Sequence, residues 1–192
     1  MGDRVKIVGE EVLSHKWGLL KSTTFDFQRN DGSWQRHVRE TYDRGNAAAV
    51  LLYCPETAKI VLVRQFRFPL FVQGKNAWIL EVCAGLLDGD DPETCARREA
   101  REETGYEVKT LHKAFEAEMS PGSLLETVSC FIGTYGADSR IASGGGLHEE
   151  GEDIEVVELD LAEALRMIER GEISDGKTIL LLQHLALHPI AG

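Results

Sequence analysis

An α/β chain that begins with a small antiparallel β domain is the fold class this sequence predicts, and three observations predict it. Residues 4–44 alternate apolar and polar side chains around Asn30-Asp31-Gly32, an Asp-Gly turn of the hairpin type. Ala47 to Tyr53 and Ile60 to Val63 are short continuous apolar runs, as expected of buried strands. Asp91-Pro92 opens a helix, with an acceptor side chain at the N-cap and Pro at the first helical position. Thr104-Gly105 closes it, because Gly tolerates the left-handed conformation that follows a helix. The chain has 192 residues, 43% of them hydrophobic, enough for one large core with an appendage. The boundary falls at Gly45, between residues 1–44 and residues 45–192.

Val5, Ile7 and Val8 begin the first strand. Leu19 to Phe27 form the second, with Phe25 and Phe27 alternating with polar residues. Trp34 to Tyr42 return as the third, with Val38, Glu40 and Tyr42 on one side. So small a sheet cannot bury both faces alone. It is expected to pack against the remainder of the chain or against a second chain. His37, Arg39 and Glu40 read as exposed strand positions. After the two buried strands, Arg64-Gln65-Phe66-Arg67 places two arginines where they could hold phosphate bidentately. Trp78 to Cys83 leads into the helix motif, with Glu81 as a possible extra carboxylate. Glu107 to Met119 reads as one long strand or two. Ser120-Pro121-Gly122 turns the chain, and Glu126 stands at the start of the strand Val128 to Ile132. Ser143 to Gly146 begins a flexible loop that ends in the acidic run His148 to Asp153. Ile154 to Leu159 is the last strand. Leu161 to Ile168 and Thr178 to Leu187 have helical spacing, the first closed by Gly171 and the second preceded by Asp175-Gly176-Lys177.

The chemistry concentrates on the helix. Positions three and four apart share one helical face, so Glu99 projects beside both Glu102 and Glu103. Packed carboxylates repel and weaken a bare helix, and a divalent cation reverses that penalty. Mg²⁺ prefers a few carboxylates plus phosphate oxygens and water. The bland alternative is a solvated face on which Arg97, Arg98 and Arg101 form surface pairs. A net charge of −11 argues against a nucleic-acid partner. Cys54, Cys83, Cys95 and Cys130 form no C-x-x-C motif and read as reduced thiols in the cytosol. No apolar run approaches a membrane span, and MGDRVKIVGE lacks the core of a signal peptide. His184 and His188 are spaced i, i+4 but lack the adjacent Glu of a zinc protease helix. Neither a nucleophile elbow nor a P-loop is present.

The stretch Ala84 to Val108 resembles the Nudix box, G-x5-E-x7-R-E-U-x-E-E-x-G-U, where U is a bulky apolar residue. Arg98-Glu99, Glu102-Glu103, Gly105 and Tyr106 stand in register with its second half, and Gly85 matches its first Gly. The loop is one residue short, so Asp90 stands where the first Glu falls, and Ala100 is small for its position. Arg39 to Gly45, Val63 to Arg67, Met119 to Gly122, the triple-Gly loop and Gly171-Glu172-Ile173 with Asp175-Gly176-Lys177 extend the likeness. Together they are similar to the GDP-mannose-cleaving members of the ADP-ribose/nucleotide-sugar branch of the Nudix superfamily. The 147–153 loop is about two residues longer here.

That resemblance implies a Nudix α/β/α sandwich with a mixed sheet, preceded by the N-terminal β domain, which is exchanged in a homodimer. It implies Mg²⁺ bound by the backbone carbonyl of Ala84 and by Glu99, Glu103 and Glu152. Substrate contacts would come from Trp17, Val38, Arg39, Glu40, Arg67, Gly85, Leu86, Glu126 and Lys177. Glu152 or Glu126 would act as the base, and Glu102 and Arg98 would complete the catalytic set, Arg98 as a buttress. The implied activity is hydrolysis of a nucleoside diphosphate sugar, preferably GDP-mannose, in the cytoplasm, without nucleic-acid or membrane partners. ADP-ribose or ADP-sugar hydrolysis is the rival within the class. A non-catalytic nucleotide-sugar sensor is the rival outside it, and the retention of Glu99, Glu102 and Glu103 argues against a sensor.

Overall fold

The computed structural model describes residues 4–147, 149 and 151–190, and these divide into two compact units. The first runs to Asn46 and takes in Glu118–Thr127. Its strands β1 (Val5–His15), β2 (Leu19–Gln28) and β3 (Trp34–Asp43) form an antiparallel sheet in the order β1-β2-β3. The β2–β3 hairpin stays in register from Leu19↔Asp43 to Gln28↔Trp34. Its turn places Gly32 at φ 85°, and Asp31 Oδ1 accepts from the Ser33 amide at 2.9 Å. Phe25 stacks on His37 at 5.5 Å between ring centroids. Beyond β3, the Tyr42 amide donates to the Ser123 carbonyl at 2.8 Å, and the Leu125 amide donates to the Tyr42 carbonyl at 2.9 Å. The later segment therefore extends this unit, a pairing across some 80 residues that no local pattern announces.

The second unit covers Ala47–Ala117 and the chain from Val128 onward. Among its described residues are β4 (Ala47–Cys54), β5 (Lys59–Phe66), β6 (Trp78–Glu81), β7 (Cys83–Leu86), β8 (Leu111–Glu118), β9 (Thr127–Thr134) and β10 (Glu155–Asp160). They form one sheet in the order β10-β5-β4-β9-β8, with β6 added to β5 and β7 to β4. β4 runs parallel to β9 and antiparallel to β5 and β7, so the sheet is mixed. Every residue of β4 is buried, which the continuous apolar run requires. Ala48, Val50 and Leu52 join a core with Cys95, Ala96 and Ala100 of the motif helix. The alternate residues face the other side, where α4 (Gly176–Leu187) packs on β4 and α3 (Leu161–Glu169) packs on α4. Helices therefore cover both faces of the sheet, the expected sandwich.

Three details differ from the sequence reading. Phe68–Val72 forms a short helix, α1, whose apolar run has no periodicity to reveal it. Only Leu111–Glu118 of the predicted long strand is strand. The preceding residues instead bond irregularly, Glu107 to the Ser139 carbonyl and Lys109 to the Thr134 carbonyl. α4 starts at Gly176, because Asp175 is its N-cap and accepts from the Thr178 amide at 3.0 Å.

Candidate functional site

The motif helix, α2 (Pro92–Glu99), is started by Asp91, whose Oδ1 accepts from the Glu93 and Thr94 amides at 3.1 Å. It does not continue as a regular α-helix. Ala100–Thr104 is a π-helical turn, the widened form that recurs at functional sites. The helix then ends at Gly105, at φ 75°. Regular spacing would have grouped the three carboxylates on one face. In the structure Glu99 and Glu103 are buried against the sheet, while the Glu102 side chain keeps about a third of its surface in solvent.

Arg98 holds this end of the helix together. Its guanidinium reaches Glu99 at 2.8 Å, Glu102 at 3.2 Å, Asp90 at 3.2 Å and the Leu86 carbonyl at 3.2 Å. Asp90, in the place of the motif's first Glu, thus pairs with the buttressing arginine. Glu99 lies directly over β7, which carries Ala84, Gly85 and Leu86. A Cβ at Gly85 would run into the Glu99 carboxylate, so any side chain there would displace that carboxylate from its present position.

Glu103 is 2% exposed, and its Oε2 has no hydrogen-bond partner among the described residues. Such an orphan is costly unless something absent satisfies it. Burial first, then the charges of Glu99 and Glu152, hold the Glu103 carboxyl well above the usual carboxylate range. Burial likewise pushes Glu99 up to about 7, against the opposing pull of Arg98 and with repulsion from Glu102 and Glu152. Glu152, just before β10, accepts from the Leu147 amide at 2.9 Å. Glu99, Glu103 and Glu152 are thus near enough for their charges to act on one another, and one buried oxygen of Glu103 has no partner among the described residues.

That donor set fits a hard divalent cation. Burial raises the Cys83 thiol well above its ordinary range and Cys95 to about 11, and the carboxylate oxygens are the hard donors such a cation prefers. Among the described residues no three His, Cys, Asp or Glu side chains stand together as a group that could hold a metal ion by themselves. A hard divalent cation that takes one or two carboxylates and fills its shell with water and substrate phosphate does not need such a group.

The triple glycine does more than loosen the loop. Gly145 donates to the Glu103 carbonyl at 2.9 Å and Gly146 to the Glu102 carbonyl at 3.2 Å. A Cβ at Gly144 would meet the Thr104 backbone at 2.5 Å. The loop is thus docked on the end of the motif helix, which carries Glu152 to the other carboxylates. Glu149 is exposed, and His148 and Glu150 lie outside the described residues.

The other predicted positions divide between the units. Arg67 follows β5 as the N-cap of α1, Lys177 lies in the first turn of α4, and both pair with Glu81. Glu81 is therefore no spare metal ligand; it is already neutralised. Arg64 pairs with Glu155 on the exposed surface. Trp17, Val38, Arg39, Glu40 and Glu126 all belong to the first unit. Trp17 is 79% exposed, with Arg44 over its ring at 5.1 Å. Arg39 turns back on the Val38 carbonyl at 2.8 Å. His184 packs on His188 and Phe115. The sequence reading missed the π turn and the Glu81 ion pairs. The triple glycine immediately before the acidic run was the one signal for the docked loop.

Comparisons with known proteins agree with this geometry. The family described as the GDP-mannose pyrophosphatase NudK N-terminal domain matches residues 4–42, and the NUDIX domain family matches residues 43–182. A GDP-mannose pyrophosphatase of Citrobacter koseri is 49% identical over 186 residues, 96% of each chain. One from Klebsiella pneumoniae is 48% identical over 186 residues, 96% of this chain and 93% of its own. One from Shigella flexneri is 47% identical over 188 residues, 97% of each chain. A crystal structure of an ADP compounds hydrolase superposes with a TM-score of 0.72 at 19% identity, covering 96% of this chain and 94% of the other; it bears on the fold alone.

Proposed function

We propose that this chain, which belongs to the Nudix family, hydrolyses the diphosphate of a nucleoside diphosphate sugar, with GDP-mannose preferred and GMP and mannose 1-phosphate as products. The observation that carries this reading is the buried, unpartnered oxygen of Glu103, on a carboxyl close enough to Glu99 and Glu152 for their charges to raise it. A divalent cation, Mg²⁺ in this reading, bound by the Ala84 carbonyl, Glu99, Glu103 and Glu152, would neutralise the diphosphate and acidify a water molecule. The chain's own groups do the rest. Arg98 keeps Glu99 and Glu102 in position. Glu152 takes the proton of the attacking water, with Glu126 as the competing base. Arg67 and Lys177 meet phosphate oxygens, Gly85 and Leu86 give the substrate close backbone approach, and Trp17, Val38, Arg39 and Glu40 recognise base and sugar. The water oxygen bonds to one phosphorus, the P–O bond to the bridging oxygen breaks, and the other phosphate leaves.

The test is turnover over a panel of GDP-mannose, ADP-ribose and ADP-sugars, with Mg²⁺ and with a chelator. GDP-mannose is expected to give the highest kcat/KM, with activity lost to the chelator and restored by Mg²⁺. Faster ADP-ribose cleavage moves the preference to the adenine series. Binding without products leaves a sensor.

Assembly belongs to the same reading. Val5, Ile7, Val8, Val12 and Leu13 of β1 are all exposed, more apolar edge than a three-stranded sheet leaves bare in a soluble monomer. A homodimer in which residues 1–44 are exchanged would cover it and let the partner complete the site. Sedimentation at micromolar concentration is expected to show two chains; an active monomer would sink the idea. The cysteines described are free and buried, and no described helix is long and apolar enough to cross a membrane. We place the reaction in the cytoplasm.

A further inference from the structure

We infer that Glu81 is a positioning residue that holds Arg67 and Lys177 together as one preorganised clamp for the diphosphate of the substrate. The inference rests on the nucleotide-sugar reading and adds a residue to it.

Glu81 ends β6 and is 2% exposed. An isolated carboxylate so buried would be strongly unfavourable. Arg67 approaches it side-on, Nε to Oε1 at 2.6 Å and Nη2 to Oε2 at 2.9 Å. This fork fixes the guanidinium plane. It leaves Nη1, for which no partner occurs among the described residues. The Arg67 side chain is 40% exposed although its partner is buried. Lys177 donates to Glu81 Oε2 and to Asp175 Oδ1, the latter at 3.0 Å. An ammonium has three N–H groups, so one remains, on a side chain 14% exposed.

The support behind the pair is continuous. Asp175 Oδ2 accepts from the Thr178 amide at 3.0 Å and from Thr178 Oγ1 at 2.6 Å. Thr178 Oγ1 in turn accepts from the Val82 amide at 2.9 Å, the residue next to Glu81. One ring of bonds thus joins the end of β6 to the start of α4. Two like charges sharing a site would repel. With Glu81 between them they do not, and each keeps a donor unspent. Arg67 also lies close enough to Glu103 for its charge to pull that carboxyl down, which sets the clamp beside the carboxylate cluster.

The test is a double-mutant cycle of Glu81→Gln and Arg67→Gln, read in two ways: kcat/KM for GDP-mannose and the calorimetric Kd for inorganic pyrophosphate. Each single substitution is expected to lower kcat/KM by about 30-fold and to weaken pyrophosphate binding. The double variant should stay within about threefold of the worse single one, because the two residues act as a unit. Glu81→Asp, which keeps the charge, should recover most of the loss. Additive losses, or a Glu81→Gln protein with wild-type values, would overturn the inference. If Glu81→Gln alone does not fold, the double variant removes the opposite charges together and avoids an unpaired buried cation. Its comparison with Arg67→Gln then decides: equal values support the clamp, and a further drop overturns it. A wild-type protein that binds pyrophosphate but cleaves no nucleotide sugar refutes the substrate reading, while the Kd cycle still decides the clamp.

Discussion

Glu103→Gln is expected to lower turnover at saturating Mg²⁺ by roughly two to three orders of magnitude while raising the stability of the metal-free protein. The two effects have one cause. Glu103 is buried, with an oxygen that nothing in the described protein satisfies. Gln keeps the size but removes the charge that a cation needs and that is costly to bury without one. The pH dependence follows with a definite sign. Glu99 and Glu103 have folded pKa values raised above their unfolded ones. The folded state therefore binds more protons than the unfolded state between the two values, and stability falls as pH rises through that window. For Glu99 the window runs from 4.5 to about 7, and the loss is on the order of 3 kcal/mol. Added Mg²⁺ should accordingly raise the melting temperature more at pH 8 than at pH 6. In Glu103→Gln both the slope and the Mg²⁺ response should shrink. Near wild-type turnover in this variant would remove Glu103 from the site.

The second large effect is expected at Glu152. Glu152→Gln should lower kcat and kcat/KM together by about 100-fold, as for an interaction made mainly in the transition state, whereas Glu149→Gln should stay within about twofold. Glu152 is seated by the Leu147 amide and lies against Gly146, and its charge is felt by both Glu99 and Glu103. Glu149 is exposed three residues beyond the docked glycines. The longer loop thus still delivers the carboxylate next to the last strand. Glu126→Gln is the paired experiment: an inert Glu126 variant beside an unaffected Glu152 variant would transfer the base to Glu126.

Local chemistry was legible in the sequence wherever one residue type decides one conformation. Asp91-Pro92 and Gly105 bounded the helix, Asp31-Gly32 made the hairpin, and the unbroken Ala47 to Tyr53 run announced a strand covered on both faces. The motif carboxylates Glu99, Glu102 and Glu103 were visible in the sequence as well. Their division was not, because the spacing rule assumes a regular helix and the π turn Ala100–Thr104 departs from it. Glu81 read as a spare ligand, since its partner Lys177 stands 96 positions away. Arg67 was nearer, but a fork between neighbouring strands has no sequence signature. α1 was missed for a simpler reason: Phe68–Val72 is apolar throughout and only five residues long, too short for a period to show.

The segment Glu118–Thr127, which completes the N-terminal sheet's unit, has a consequence for how this protein can be cut or recombined. The chain passes between the units at Asn46–Ala47, at Ala117–Glu118 and at Thr127–Val128. The first unit is therefore not a detachable prefix. A truncation after Asn46 would strip the partners from Ser123 and Leu125, whose backbone groups bond to Tyr42. A chimera that borrows its first 46 residues from a relative would pair them with a foreign insert. Whatever specificity the first unit confers is encoded in two separated stretches of gene, and they must change together.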